Sequence, residues 1–164
     1  MTAQARLAGT RLVAFDIDGV FTDGRFYLSD AGVESKAFCT QDGYGVRRLL
    51  EAGIEVAVIS GRRSEAVTRR MQELGVAHVV QGCGDKLAAF QTLTETLGLG
   101  AADCVFVGDD LPDLPLLRQA GVAIAVANAV AEVKAACDLT TAAAGGCGAV
   151  REVCDLVLEA TGRG

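Results

Sequence analysis

Two carboxylates, Asp16 and Asp18, directly follow the apolar run Leu12–Phe15. Because side chains alternate faces along a strand, both carboxylates can point to one strand end while Ile17 points into the core. One carboxylate can attack phosphorus, the other can move a proton, and the pair attracts Mg²⁺, which prefers oxygen ligands. The pattern favours phosphoryl transfer. Taken alone, the segment is more often an Asp-rich turn in which Gly19 is left-handed.

Three further apolar runs end in polar groups, and these favour the chemical interpretation. Ligands of open parallel sheets bind outside the carboxyl ends of the strands, so such groups are expected to converge. Together they would supply a hydroxyl with a backbone donor, an ammonium and a second acidic cluster. The groups are Ser60-Gly61-Arg62 after 54–59, Asp85-Lys86 after 78–80, and Asp109, Asp110 and Asp113 after 104–107.

Short apolar runs alternate with amphipathic segments along the chain, which predicts an α/β fold with a central parallel sheet. Strands are predicted at 12–15, 54–59, 78–80, 104–107 and 122–126, and helices at 45–52, 64–74, 86–97, 114–119, 131–137 and 149–160. Residues 25–28 and 33–38 are predicted to pair as a hairpin around the turn 29–32. We expect one Rossmann-like three-layer domain over 1–164, with a hairpin flap at about 24–39 and a C-terminal tail at about 142–164.

Composition restricts the class of protein. The chain has 164 residues, 51% of them apolar, a net charge of −6 and a pI near 4.7. An acidic chain is a poor general partner for nucleic acid or an anionic membrane, and no run is apolar enough to span a bilayer or act as a secretory signal. A cytoplasmic location is therefore expected. Six cysteines without paired spacing are expected to be free thiols. His78 is the only histidine, which excludes multi-histidine metal sites.

The segments DIDGV, ISGR, GDK and GDDLPDL, in this order, resemble the four motifs of the haloacid dehalogenase superfamily of phosphohydrolases. Longer segments, including DGRFYLSDAGVESKAF and GGCGAVREVCDLVLEA, resemble the 3-deoxy-D-manno-octulosonate 8-phosphate phosphatases, and this likeness covers nearly the whole chain. The resemblance implies a capless, tetrameric, Mg²⁺-dependent phosphoric monoester hydrolase that acts through an aspartyl-phosphate in lipopolysaccharide precursor biosynthesis.

The resemblance also implies roles for individual residues. Asp16 would be the nucleophile and a metal ligand, Asp18 the acid/base with its backbone carbonyl on the metal, and Asp109 the third ligand. Ser60, Gly61 and Lys86 would bind phosphate. Substrate contacts would come from Cys39, Thr40, Gln41, Asp42, Gly43, Arg47, Arg62 and Arg70.

The roles of some residues and the identity of the substrate have alternative interpretations. Asp110 and Asp113 are interpreted as supporting groups or helix caps in preference to metal ligands. Arg70 is as well explained by a solvated helix face as by a substrate contact. Relatives commonly carry Arg at the positions of Gln41 and Cys147, so phosphatases of nonulosonate 9-phosphates or other sugar phosphates are alternatives, as is a non-catalytic assembly domain. Gly61-Arg62 favours the octulosonate reading, because the nonulosonate branch resembles Gly-Glu there.

The interval between Asp18 and Ser60 is filled by the hairpin, a helix and a strand, which leaves no room for an ordinary cap domain. A hairpin bearing Phe26, Tyr27 and Leu28 exposes apolar surface that a lone chain covers poorly. We therefore expect a homo-oligomer, of the tetrameric form that the resemblance implies. In it the hairpins would pack against adjacent chains and let Arg62, Arg70 or residues 145–148 reach a neighbouring site, whereas in a monomer the hairpin would fold onto its own sheet.

Overall fold

The fold is a parallel sheet between two helical layers, with a small antiparallel hairpin beside it. A computed structural model describes residues 2–164. The strands are β1 (Leu12–Phe15), β2 (Tyr27–Leu28), β3 (Glu34–Ser35), β4 (Glu55–Ile59), β5 (His78–Val80), β6 (Cys104–Gly108), β7 (Val122–Ala125) and β8 (Leu139–Thr140). The sheet runs β5-β4-β1-β6-β7-β8, and every neighbouring pair is parallel.

In the described part of the chain, residues 2–164, seven α-helices connect and cover these strands. They are α1 (Ala3–Leu7), α2 (Thr40–Glu51), α3 (Glu65–Leu74), α4 (Lys86–Leu97), α5 (Leu114–Leu117), α6 (Ala131–Ala136) and α7 (Ala149–Ala160). Helix α2 packs on α3 and α7, whereas α5 packs on α4 and α6. Connections that move toward opposite edges of a parallel sheet lie on opposite faces when each crossover has the usual right-handed sense, and this rule explains the two layers. All residues of β1, β6 and β7 are buried as a result.

The topology positions the chemistry. After β1 the chain continues first toward the β5 edge and later toward the β8 edge, so the strand order reverses at β1. A reversal of this kind leaves a crevice at the carboxyl ends of the strands, where ligands bind. Asp16 directly follows the last residue of β1 and lies at the edge of this crevice. Its N–H donates to the Val107 carbonyl at 3.0 Å and so continues the hydrogen bonding of the sheet. The predicted α/β sheet is thus confirmed.

The predicted hairpin is also present, with β2 and β3 paired antiparallel and reduced to two residues each. The turn closes through two backbone hydrogen bonds, from Ser29 N–H to Val33 O and from Gly32 N–H to Ser29 O. Gly32 has φ +77°, a conformation that glycine adopts without strain. Tyr27, Leu28 and Val33 remain well exposed at 70%, 65% and 63%, so the apolar tip of the hairpin is uncovered in the single chain.

Three features differ from the sequence prediction. Helix α2 begins at Thr40 instead of residue 45, and α1 and β8 were not predicted. Gly43 and Gly45 look like loop residues, but each lies where a neighbouring helix comes close. A Cβ on Gly43 would lie 2.3 Å from the Arg70 side chain, and one on Gly45 would lie 3.0 Å from Cys154. Close helix packing, not a turn, explains both glycines.

The C-terminal tail packs against the loop that follows β1. The Gly146 N–H donates to Val20 O at 3.1 Å. Asn128 accepts from Gly145 N–H at 2.6 Å and donates to Gly19 O at 3.0 Å. A Cβ on Gly145 would lie 1.8 Å from that same oxygen. In this chain, residues 145–146 therefore fix the loop of their own site. Within residues 2–164, none of the helices combines the length and apolarity required to cross a bilayer.

Candidate active site

A pocket of about 320 Å³ lies at the carboxyl ends of β1, β4 and β6. It collects the polar groups that follow these strands, together with the first residue of α4. Five of the predicted catalytic, phosphate-binding and metal-binding residues converge here from distant parts of the chain, with Gly61 beside them. The lining residues are Asp16, Asp18, Gly24, Ser60, Gly61, Arg62, Lys86, Asp109, Asp110, Pro112 and Asp113.

Lys86 joins two of the acidic groups. Its Nζ lies 2.8 Å from Asp16 Oδ1 and 2.7 Å from Asp113 Oδ1. All three side chains are at least nine-tenths buried. Although burial opposes the charged form, the carboxylates of Asp16 and Asp113 raise the pKa of Lys86. The ammonium is therefore kept charged beside the group that is predicted to attack phosphorus.

Asp113 holds Lys86 and the loop after β6 in place through hydrogen bonds. Its Oδ2 accepts from the N–H groups of Asp109 and Asp110 at 3.0 and 3.3 Å, while its Oδ1 accepts from Lys86. Asp110 Oδ1 accepts from Leu111 N–H at 2.8 Å, at the start of the short 3-10 turn Leu111–Asp113. These contacts match the interpretation of Asp110 and Asp113 as capping and supporting groups.

Asp109 lies against the loop after β1. Gly19 has φ +90°, and a Cβ there would lie 2.0 Å from Asp109 Oδ2, so a side chain at residue 19 is prevented both by backbone strain and by lack of space. Burial and the nearby carboxylates of Asp16 and Asp113 raise the pKa of Asp109 to about 8. Burial, then Asp113, raises the pKa of Asp16 to about 6, although Lys86 opposes this shift.

This excess of negative charge fits a divalent cation. Asp16, Asp109 and Asp113 each offer one carboxylate oxygen, and these atoms all lie within 4.8 Å of one another. The donors are all oxygens, the ligand type that Mg²⁺ prefers. A bound cation would also relieve the mutual repulsion that raises the pKa values of Asp16 and Asp109.

Ser60 and Arg62 form the opposite wall. Ser60 is buried at the end of β4, where its N–H donates to Val80 O at 2.9 Å and its Oγ accepts from Arg62 N–H at 3.4 Å. The Arg62 guanidinium lies 4.2 Å above the Phe26 ring and 3.9 Å from Asp18 Oδ2. A hydroxyl and a guanidinium therefore face the acidic side of the pocket.

Sequence reasoning missed Lys36 and Glu34 of the hairpin. Lys36 Nζ donates to Asp18 Oδ1 and lies 3.7 Å from Glu34 Oε1, and its side chain is only 1% exposed. Glu34 Oε2 accepts from Arg62. A signal was present, because residues two apart on a strand share a face. The hairpin thus folds toward its own pocket at its base, while its tip points away into solvent.

The comparisons with known proteins agree with this geometry. Residues 76–152 match the haloacid dehalogenase-like hydrolase family. The 3-deoxy-D-manno-octulosonate 8-phosphate phosphatase KdsC of Escherichia coli K12 is 45% identical over 159 residues, which span 97% of this chain and 85% of that protein. The chain belongs to this phosphatase family.

Solved structures of the family extend the agreement to three dimensions. The enzyme from Yersinia pestis superposes with a TM-score of 0.97 at 42% identity, covering 98% of this chain and 87% of the other. The enzyme from Moraxella catarrhalis, solved with a magnesium ion, a phosphate ion and a KDO molecule, superposes with a TM-score of 0.95 at 44% identity and covers 98% and 92%.

The other substrate contacts implied by the family do not line the pocket in the single chain. Residues 39–43 include the start of α2, where Asp42 is buried and its Oδ1 accepts from Arg151 N–H at 2.9 Å, so this carboxylate caps α7. Arg70 pairs with Glu73 at 2.8 Å, and Arg47 donates to the Glu73 carbonyl at 3.3 Å. Contacts from this surface to substrate stay a prediction.

Proposed function

We propose that this chain is a Mg²⁺-dependent phosphatase that hydrolyses 3-deoxy-D-manno-octulosonate 8-phosphate to the free sugar acid and phosphate, in the supply of lipopolysaccharide precursors. The observation that carries the proposal is Lys86 held between Asp16 and Asp113 in a pocket that also contains Ser60 and Asp109. Membership of a phosphatase family, and the magnesium, phosphate and KDO bound by the Moraxella catarrhalis relative, support the same assignment.

In the first step an oxygen of Asp16 attacks phosphorus and the bond from phosphorus to the ester oxygen breaks. Asp18 gives its proton to the departing alkoxide. Lys86 and Ser60 bind the transferring phosphoryl oxygens, and the Lys86 ammonium balances part of their charge. The products of this step are the free sugar acid and a phosphoryl group on Asp16.

In the second step the ionised Asp18 takes a proton from water, whose oxygen attacks the same phosphorus. The bond from phosphorus to Asp16 breaks, so inorganic phosphate is released and the Asp16 carboxylate is restored. Asp18 ends with the proton that it needs for the next turnover. One carboxylate therefore serves as acid and then as base, which its position beside Asp16 allows.

We assign Mg²⁺ to the carboxylates of Asp16 and Asp109, with the Asp18 backbone carbonyl as a third ligand. Bound Mg²⁺ supplies positive charge that lets an anionic phosphate approach an anionic nucleophile. Asp113 supports Asp109 in this assignment, since both of its oxygens already accept hydrogen bonds.

Substrate choice is the part that needs measurement. Arg62 offers a cation beside the reacting groups and suits the carboxylate of a sugar acid. A steady-state panel with Mg²⁺ should compare 3-deoxy-D-manno-octulosonate 8-phosphate, a nonulosonate 9-phosphate and a sugar phosphate that lacks a carboxylate. We expect the highest kcat/KM for the first. A higher value for the nonulosonate ester would transfer the assignment to that substrate.

The matched control is Asp16→Asn, which keeps the shape of the side chain and removes its nucleophilicity. We expect no measurable turnover with a retained fold by circular dichroism. Turnover near the wild-type rate in this variant would exclude the covalent mechanism, and an inactive wild type on every ester would favour the assembly-domain alternative.

We also propose that the protein acts as a homo-tetramer in the cytoplasm. The exposed apolar hairpin tip supports assembly, because a second chain could cover it. Residues 39–43, Arg47 and Arg70 would then contact the substrate of a neighbouring chain. The six cysteines are free thiols, which is typical of proteins from a reducing compartment.

A further inference from the structure

Four charged side chains of alternating sign form a closed ring beside the pocket. Lys36 donates to Asp18 Oδ1 and lies 3.7 Å from Glu34 Oε1. Glu34 Oε2 accepts from Arg62 at 2.5 Å, and Arg62 Nε lies 3.9 Å from Asp18 Oδ2. This charge ring, made of Asp18, Glu34, Lys36 and Arg62, joins the end of β1 and the end of β4 to the hairpin.

The position of Lys36 in the ring is unlike that of an ordinary surface cation. Its side chain is 1% exposed, although lysine is almost never fully buried without a partner. Burying an ammonium is costly, so such a group is retained where paired charges compensate it. Lys36 is not among the residues that line the pocket, and its cationic contacts go to Asp18 Oδ1 and Glu34 Oε1. The ammonium therefore acts on a neighbour instead of on the phosphate ester.

The two oxygens of Asp18 have different cationic neighbours, Lys36 at Oδ1 and Arg62 at Oδ2. Lys36 is the nearer of the two. A carboxylate held at both oxygens has little freedom to rotate, whereas proton transfer needs its donor within hydrogen-bond reach of the ester oxygen and later of water. Among the described residues, loss of Lys36 would leave the Asp18 carboxylate with Arg62, at 3.9 Å, as its one cationic neighbour.

We propose that Lys36 is a positioning residue that holds the Asp18 carboxylate in place for proton transfer. Glu34, which lies on the same hairpin as Lys36, contacts both Lys36 and Arg62 and fixes their positions. The proposal rests on the role of Asp18 in the proposed function. It gives the hairpin a part in the chemistry of its own chain that is separate from any contact that its apolar tip makes.

The test is a double-mutant cycle between Lys36→Met and Asp18→Asn, read in kcat. Acid–base groups contribute about 10²- to 10⁴-fold, so loss of their positioning should lower kcat by about 10- to 100-fold in Lys36→Met. In the Asp18→Asn background the same change should cost less than about 2-fold, because residues that act as a unit are not additive. The inhibition constant of inorganic phosphate should change less than about 3-fold, since Lys86 and Ser60 are intact.

Two further variants separate positioning from hairpin folding. Lys36→Arg keeps a cation that can pair with the Asp18 carboxylate, so it should recover part of the lost kcat. Arg25→Met removes a cation from the start of the same hairpin, where Arg25 is 83% exposed and its only carboxylate partner in residues 2–164 is Asp23 at 3.8 Å, so kcat should stay at the wild-type level. Equal losses from Lys36→Met in both backgrounds, or wild-type kcat in Lys36→Met, would overturn the proposal.

A second double-mutant cycle, read in thermal unfolding, does not depend on turnover. It compares the wild type, Lys36→Met, Asp18→Asn and the variant that carries both changes. Lys36→Met should lower Tm by leaving Asp18 without its nearest cation, and adding Asp18→Asn should lower Tm no further, because it removes that carboxylate charge. Additive losses in Tm would refute the ion pair itself. A wild type that is inactive on all phosphate esters yet shows this coupling would instead refute the proposed function and keep the pairing.

Discussion

Replacement of Lys86 by Met tests the centre of the site in both stability and rate. Lys86 is the one cation within 4 Å of Asp16 and Asp113 among the described residues, at 2.8 and 2.7 Å. Methionine has a side chain of similar length to that of lysine but carries no charge. Breaking a buried ion pair from one side costs about 3–5 kcal/mol, because the remaining carboxylates lie buried without a counter-ion. We expect the metal-free variant to lose free energy of unfolding in this range at neutral pH.

The second half of the test restores charge balance without restoring Lys86. In Lys86→Met/Asp113→Asn, the Asn carbonyl can still accept from Asp109 N–H, and the buried carboxylate that repels Asp16 is gone. Leaving a buried group without its partner costs about 1–3 kcal/mol, so the double variant should be more stable than Lys86→Met by an amount near this range. Its activity should stay low, because removing a group that stabilises transition-state charge costs about 10²- to 10³-fold in kcat.

The chain has no tryptophan, so far-ultraviolet circular dichroism is used to follow urea denaturation in the presence of chelator. This measures the stability of the wild type, Lys86→Met and Lys86→Met/Asp113→Asn. Release of inorganic phosphate measures their rates. A metal-free Lys86→Met protein as stable as the wild type would refute the buried-pair reasoning. A further loss of stability on adding Asp113→Asn would also refute it, because Asp113 would then stabilise the fold independently of Lys86.

Three other predictions follow from the site and the hairpin. Exhaustive chelation should abolish hydrolysis and added Mg²⁺ should restore it, whereas full activity after chelation would exclude an essential metal. The raised pKa values, about 6 for Asp16 and about 8 for Asp109, mean that the folded metal-free protein holds protons that the unfolded chain has released. Its free energy of unfolding should therefore fall from about pH 4 to about pH 8, and urea titrations with saturating Mg²⁺ should show a smaller fall. Tyr27→Asp/Leu28→Asp should dissociate the proposed tetramer by light scattering, whereas Ala31→Asp, with charge added at the turn alone, should not; an unchanged mass in the first variant would exclude assembly through the hairpin tip.

The strand ends were predictable because their signal is local. Apolar runs such as Leu12–Phe15 and Cys104–Gly108 are each followed at once by acidic residues, and parallel strands bring such positions to one edge. The start of α2 was not predictable in this way. Gly43 and Gly45 disfavour helix locally, and only the close approach of α3 and α7 explains them. Helix α1 and the two-residue strand β8 are too short to give a clear periodic signal.

Lys36 illustrates a different limit of sequence reasoning. Its spacing from Glu34 indicates a shared face of the hairpin, but no local pattern says which group that face meets. Its partner Asp18 is 18 residues away, and the contact depends on how the hairpin folds back over the pocket. The proposed nucleophile, the proposed phosphate-binding lysine and the acidic cluster are recognisable from motifs, whereas the residues that hold them in place depend on tertiary structure.

The charges of the pocket explain why the proposed reaction requires both a metal ion and a movement of Lys86 away from Asp16. Arg62 and Lys86 are the cations that line the described pocket, and each already faces a carboxylate, Glu34 for Arg62 and Asp16 with Asp113 for Lys86. A phosphate ester entering beside Asp16 brings further negative charge to this set. In the proposed reaction Lys86 would leave Asp16 for the phosphate, while its 2.7 Å contact with Asp113 would keep it within reach of the substrate. Asp16 then needs another cation, and the oxygen donors around Asp109 suit Mg²⁺ for that role.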